Sequence, residues 1–220
     1  MDIRRWIESR KPAVKSLLTA VGYDYRQPFV KNLLTAVGYD YTHWARTVMY
    51  RECLRLIEGL GPEKLDVLEI SAGDMFQSIR FKSYTEANFP NFDICTTVLP
   101  GRYDLIIADQ VFEHVLWPYR AARNVLTMLR PGGHFLMTTP FLIRVHLFPH
   151  DCTRWTETGM RYFLGECGFP LDDIRTGSWG NRACVRANFR HWAHRGWFRS
   201  LRNETEFPVV VWGLARRPII

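Results

Sequence analysis

The sequence predicts a doubly wound α/β domain built on a mostly parallel, seven-stranded sheet. Two observations carry this. LDVLEIS (65–71) and YDLIIAD (103–109) are short, mostly apolar runs, as expected of parallel strands buried on both faces. Such runs alternate along the chain with stretches of helical periodicity, as strand–helix–strand units require. The length of 220 residues suits one such domain, and 47% hydrophobic with 23% charged residues excludes global disorder.

The elements follow in order. Val14 to Tyr25 reads VKSLLTAVGYDY, and Val30 to Tyr41 reads VKNLLTAVGYDY, with Ser16 against Asn32 the one mismatch. A pair of near-identical copies reads as a recent tandem duplication, or an artefact of the gene's assembly, rather than a solenoid, which needs about three or more units. Residues 1–41 are expected to form an N-terminal helical arm, a surface appendage ahead of a catalytic domain over 42–220. Leu17, Leu18 and Val21, repeated as Leu33, Leu34 and Val37, offer two equal apolar stripes, so a homodimer through the arm is an option.

From Thr42 the residues Trp44, Val48, Met49, Leu56, Ile57 and Leu60 recur at helical spacing, and Gly59 with Gly61-Pro62 ends the helix. Leu65 to Ser71 is the first strand, Lys82 to Asn88 a weaker second and Tyr103 to Asp109 the third. Val111 to Leu129 reads as a helix, interrupted or restarted near Pro118. Pro131-Gly132-Gly133 reads as a turn, followed by a strand from His134 to Thr139. Thr156 to Cys167 is amphipathic and stops at Gly168, and Pro208 to Ala215 is the last strong strand. In such a sheet ligands bind beyond the carboxyl ends of the strands.

Charge and cysteines bound the partners. The net charge is +7 and the isoelectric point is near 9.3, which suits an anionic partner such as nucleic acid, phosphate or an acidic glycan without choosing between them. Arg182 to Arg202 interleaves arginines with Trp192 and Trp197, but no RNA-binding module accompanies it, and a solvated basic face explains it almost as well. The five cysteines form no CxxC pair and are odd in number, which argues against a disulfide framework or a cysteine zinc site. The opening MDIRRWIESRKP lacks the apolar region of a secretory signal, and no apolar run is long enough to cross a bilayer. A reducing, cytoplasmic setting is expected.

Three segments then carry a family resemblance. Val67-Leu68-Glu69-Ile70-Ser71-Ala72-Gly73-Asp74 sits where class I S-adenosylmethionine-dependent methyltransferases have an acid-x-Gly-x-Gly loop, with Ser71 and Met75 in place of glycines. FDICTTVLPGRYDLIIADQVFEHV, followed by MLRPGGHFLMTTPF, resembles the central half of the type 11 methyltransferases. PFLIRVHLFPHDCTRWTETGMRYFLGECGF is similar to a subgroup carrying P-F…H…HD-x-x-R-W-T, whose members often accompany polysaccharide or glycan genes. The resemblance spans about Thr42 to Pro218. It implies S-adenosylmethionine as cofactor and a small-molecule or glycan hydroxyl as acceptor, with an amine second. Nucleic acid is compatible as a partner but not favoured. An RNA methyltransferase and a catalytically silent binding module are the rival readings.

The resemblance also implies roles. Glu69, Ser71, Ala72 and Gly73 form the expected cofactor loop, its glycine at a strand-to-helix turn where the backbone can approach a ligand. Asn88, or Glu86 if the register differs, is placed to hold the ribose hydroxyls, and Ile94 to line the adenine. Asp109 and Gln110 end the central strand at the rim, with Asp109 open to reading as a helix cap. Glu113 and His114 follow, His114 being either packed or a substrate neighbour. His146, His150 and Asp151 are the base candidates. His150 is the first choice as base or substrate ligand, and Arg154 is a candidate for an anionic or polyol group. Asp151 is also three residues from Arg154, where the two could simply lock a lid over Trp155. A metal set of His146, His150 and Asp151 would need a helix that Phe148-Pro149 opposes, so no metal is expected.

Overall fold

The computed structural model describes residues 35, 36, 39–189 and 191–219. The expected helical arm over 1–41 therefore lies mostly outside the described residues. The chain divides into two compact units, residues 1–42 with 194–199, and residues 43–193 with 200–220. In the smaller unit, strand β1 (Asp40–His43) pairs with β7 (His194–Gly196). The Tyr39 ring there packs against Tyr41 and, edge-on, against Trp197.

The larger unit holds a six-stranded sheet in the order β3-β2-β4-β5-β8-β6. Its strands are β2 (Asp66–Ile70), β3 (Ser83–Ala87), β4 (Tyr103–Asp109), β5 (Leu129–Pro140), β6 (Ile174–Trp179) and β8 (Val210–Arg216). The first four are parallel to one another, and β8 runs antiparallel to both β5 and β6. Six strands replace the seven predicted. Between β3 and β4 the chain carries Pro90 and Pro100-Gly101 and no uninterrupted apolar run, so β3 stays at the edge.

Helices cover both faces, as expected of a doubly wound sheet. Period-two alternation sorts the strand side chains between them. Val67, Leu105, Ile107, Leu136, Trp212 and Leu214 share a core with Val48, Met49, Cys53 and Ile57 of helix α1 (Arg46–Glu58). Leu68, Ile70, Ile106, Ala108, Phe135 and Met137 pack on the other face. There they meet Ala121, Ala122 and Val125 of α2 (Pro118–Met128) and Met160, Phe163 and Leu164 of α3 (Glu157–Glu166). The Thr156 hydroxyl caps α3 by accepting a bond from Gly159 N at 3.0 Å.

The stretch from Val111 is interrupted and restarts near Pro118, as expected: a single 3-10 turn, Phe112–His114, precedes α2. Three local expectations change. Pro131-Gly132-Gly133 lies within β5 rather than forming a separate turn. Gly132 takes a left-handed φ of +77°, and a Cβ on Gly133 would come 3.0 Å from the Tyr103 and Arg130 carbonyls, a crowded approach at the register shift between β4 and β5. No helix follows the loop after β2; residues 71–82 run as turns that bury Phe76. Strand β6 and the short helix α4 (Arg182–Asn188) are additions. None of the helices among the described residues is long and apolar enough to cross a membrane.

Candidate active site

The carboxyl ends of β2, β4 and β5 open on one cleft of about 610 Å³, within the range of small-ligand and cofactor sites. Ser71, Gly73 and Asp74 border it from the loop after β2, Asp109, Gln110, Glu113 and His114 from the segment after β4, and His146, Leu147 and Phe148 from the segment after β5. A smaller cavity of about 220 Å³ shares Arg46, Gln110, His146 and Trp192 with it.

The loop after β2 is tied down from below. Glu69 is only 1% exposed. Its carboxylate accepts bonds from Gly73 N at 3.2 Å and from the Tyr84 hydroxyl. Burial raises its pKa, against the pull of those two donors. Ser71 N donates to the Ala87 carbonyl at 2.9 Å, and Ser71 takes a φ of +53° where the family pattern has glycine. Ala72 N donates to Asn88 Oδ1 at 2.8 Å. A Cβ on Gly73 would meet nothing within 4 Å, so the backbone there is bare toward the cleft. That bare backbone is what a closely approaching cofactor requires.

Asp109 is braced by α1 and β5. It accepts bonds from the Tyr50 hydroxyl at 2.8 Å and from the Thr138 hydroxyl. Gln110, at φ +58°, donates from its backbone to the Thr138 carbonyl at 3.1 Å and accepts from Arg46 at 3.3 Å. Sequence reasoning missed Arg46, Tyr50 and Thr138. The available signal was Arg46 and Tyr50, four residues apart and so on one side of the helix.

The segment after β5 folds back over the 3-10 turn. Cys152 N and Thr153 N donate to the Glu113 carbonyl at 2.7 and 3.3 Å. His114 Nδ1 lies 2.5 Å from the His150 carbonyl, which can only accept, so Nδ1 carries the proton. Asp151 and Arg154 form a two-pronged ion pair, the lock that their spacing allowed. Asp151 is 3% exposed in its side chain. Burial alone would raise its pKa, but bonds from Arg154 and from His146 N hold it below the usual carboxylate value.

Of the four catalytic candidates, His146 lines the cleft, while Asp151 and Arg154 hold the segment that carries it. His150, the first choice as base, contributes its backbone carbonyl to His114, and its exposed ring stands outside the cleft lining. Neighbouring residues in an extended segment point to opposite sides, and here the sequence position of His150 leaves its ring outward. Asn88 and Ile94 also stand outside the lining: Asn88 braces Ala72, and Ile94 is core, its carbonyl accepting from Asn124 at 2.7 Å. Glu86 accepts from Gln77 at 3.1 Å.

The cleft instead gathers Glu113, His114 and His146, each with an atom within 4.8 Å of the others. Glu113 is fully buried, and neither carboxylate oxygen has a hydrogen-bond partner. Burial pushes its pKa up to about 8. Burial lowers the pKa of His146, keeping the ring neutral at neutral pH.

The sheet order, the rim loop and the bare Gly73 backbone make a Rossmann-like fold with a cofactor-sized cleft at its rim. Residues 19–164 match the methyltransferase-domain family, and the chain belongs to it. Solved structures share the fold. A methyltransferase from Thermotoga maritima, described as a possible histamine N-methyltransferase, is 11% identical with a TM-score of 0.51, the match covering 76% of this chain and 89% of that one. The N-methyltransferase NodS from Bradyrhizobium japonicum, complexed with S-adenosylhomocysteine, is 16% identical with a TM-score of 0.51, covering 79% and 88%. Phosphoethanolamine N-methyltransferase 2 from Haemonchus contortus, complexed with S-adenosylmethionine, is 12% identical with a TM-score of 0.51, covering 76% and 52%. Among curated proteins, none matches.

Proposed function

We propose that this methyltransferase acts on a hydroxyl group of a small-molecule or glycan acceptor. The observation that carries the reading is the Glu113–His114–His146 cluster, set in the same cleft as the cofactor loop. A hydroxyl is a weak nucleophile and gains from groups that take or displace its proton, whereas an amine needs only to arrive deprotonated. When bound, S-adenosylmethionine supplies a methyl group already activated on a sulfonium, so alignment contributes much of the catalysis.

Gly73 and Ser71 would hold the methionine end of the cofactor, with Glu69 fixing the loop from beneath. Asp109 and Gln110 would border it at the end of β4. Asn88 serves by bracing Ala72 of that loop with its amide oxygen. The acceptor would lie against His146 and reach into the smaller cavity beside Arg46 and Trp192. Arg154 serves by holding Asp151, and through it His146.

The test is a panel of hydroxyl and amine acceptors assayed for S-adenosylhomocysteine release. The expected result is transfer to hydroxyls, with His146→Ala cutting turnover by ~10²–10⁴-fold and leaving cofactor affinity in place. Transfer to amines alone, unchanged by His146→Ala, would overturn the reading. The N-methyltransferases among the structural neighbours make amines the comparison to include.

A further inference from the structure

We infer that Glu113, His114 and His146 form a binding site for one divalent transition-metal cation, of the Zn²⁺ or Co²⁺ kind. The inference deepens the proposed function, on which its catalytic meaning rests, by naming what would activate the acceptor hydroxyl.

Three observations converge. The first is chemical. One carboxylate and two imidazoles are a donor set suited to first-row transition metals rather than to Mg²⁺ or Ca²⁺, which take oxygen ligands. One donor atom from each lies within 4.8 Å of the others, close enough to share an ion.

The second is an unmet need. Both oxygens of Glu113 are buried without a hydrogen-bond partner. His114 Nε2 lies 3.6 Å from Oε1. Because His114 Nδ1 gives its proton to the His150 carbonyl, Nε2 of the neutral ring is a lone pair. With Glu113 ionised, two acceptors face each other across that gap. An isolated carboxylate in such a place is costly, and a cation removes the cost.

The third is the surrounding shell. Metal-bound histidines characteristically turn their second nitrogen toward a carbonyl or carboxylate, which fixes ring and tautomer. His114 does so with the His150 carbonyl. His146 Nδ1 lies 3.3 Å from Asp151 Oδ2, off hydrogen-bond alignment but next to the charge, and Arg154 anchors that carboxylate with two bonds. The same HD-x-x-R stretch of sequence thus supplies the outer partners of both rings.

Three protein ligands leave coordination positions open, and all three residues border the cleft. An acceptor hydroxyl oxygen would take such a position. Coordination would lower its pKa, its proton leaving to the water of the open cleft.

The test uses the full chain, stripped with a chelator and then titrated with Zn²⁺ or Co²⁺ without S-adenosylmethionine. The expected result is one ion retained per chain after desalting, with a Co²⁺ visible spectrum free of thiolate bands. Glu113→Gln and His146→Ala should each weaken binding by at least about tenfold, as losses around a metal site do. Cys152→Ser and His191→Ala should leave it unchanged. Thermal unfolding of each variant checks that it is folded. No stoichiometric binding, or binding indifferent to Glu113→Gln and His146→Ala, overturns the inference. S-adenosylmethionine binding, measured separately on the stripped chain, tests the cofactor site independently. Loss of turnover in His146→Ala without metal binding would leave the proposed function standing and remove only the cation.

Discussion

On the proposed reading, Gly73 is the residue on which cofactor binding turns. Its missing Cβ opens onto the cleft and touches no protein atom, so a larger side chain costs the fold little and the ligand much. Gly73→Val is expected to unfold at the temperature of the parent and to bind S-adenosylmethionine more than about tenfold more weakly, by calorimetry. Equal affinity in the two proteins would remove Gly73 from the site. At the same scale, single residues explain what sequence reasoning could and could not reach. Glu69, Gly73, Asp109 and Gln110 were identifiable because the end of a strand is a local feature. The partnership of Glu113 and His114 with His146 was not, since more than thirty residues separate them and only the return of the chain after β5 brings them together. His150 drew attention as a histidine beside an aspartate, yet its part is played by a carbonyl, which every residue has.

Elements were legible in proportion to their apolar burial. β2, β4 and β8 are nearly continuous hydrophobic runs, and their pattern survives without tertiary knowledge. β6, IRTGSW, is half-exposed at an edge, and its strand character comes from pairing with β8 rather than from its own pattern. At the opposite end of the sheet from the cleft, one charged cluster joins four strands. Asp66 accepts from the Ser83 hydroxyl at 2.6 Å and from Lys82 at 3.0 Å, and meets Arg130, which also pairs with Asp104. The Ser83 hydrogen bond, then that of Lys82, holds the Asp66 pKa well below its ordinary value. A depressed carboxylate stabilises the fold above its unfolded pKa of about 3.9, and the contribution fades as pH falls below that toward the folded value. The melting temperature of the parent should therefore drop between about pH 4 and pH 2 more steeply than that of Asp66→Asn. Parallel curves for the two proteins would show that the cluster adds nothing; its exposure to solvent makes the difference a modest one.

At the scale of the whole molecule, all residues bordering the cleft belong to the unit made of residues 43–193 and 200–220. The division proposed from the sequence sets an arm over 1–41 ahead of the catalytic domain. Deleting Val14 to Phe29 removes one whole period of the duplication and leaves the other copy. The shortened chain is expected to bind S-adenosylmethionine as the parent does, by calorimetry. If the spare copy builds a dimer, light scattering should show the deletion as a monomer. Unfolding of the shortened chain would make both copies part of the core.

The sheet order also bears on how the protein behaves when concentrated. Among the described residues its outer strands are β3 and β6, whose free edges are templates for pairing with another chain. Both are short and interrupted by polarity: β3 carries Glu86 and follows Lys82, and β6 carries Arg175. Trp212 fills the space above Gly177 so closely that a Cβ there would lie 2.6 Å from its ring, which keeps β6 bare at its middle. Two charged, poorly templating edges flank a strongly apolar centre, and resistance to aggregation is thereby assigned to a few polar side chains. Replacing Lys82 and Glu86 together with valine should turn a clear concentrated solution turbid while leaving the cleft intact, since a flat apolar edge recruits its own copies.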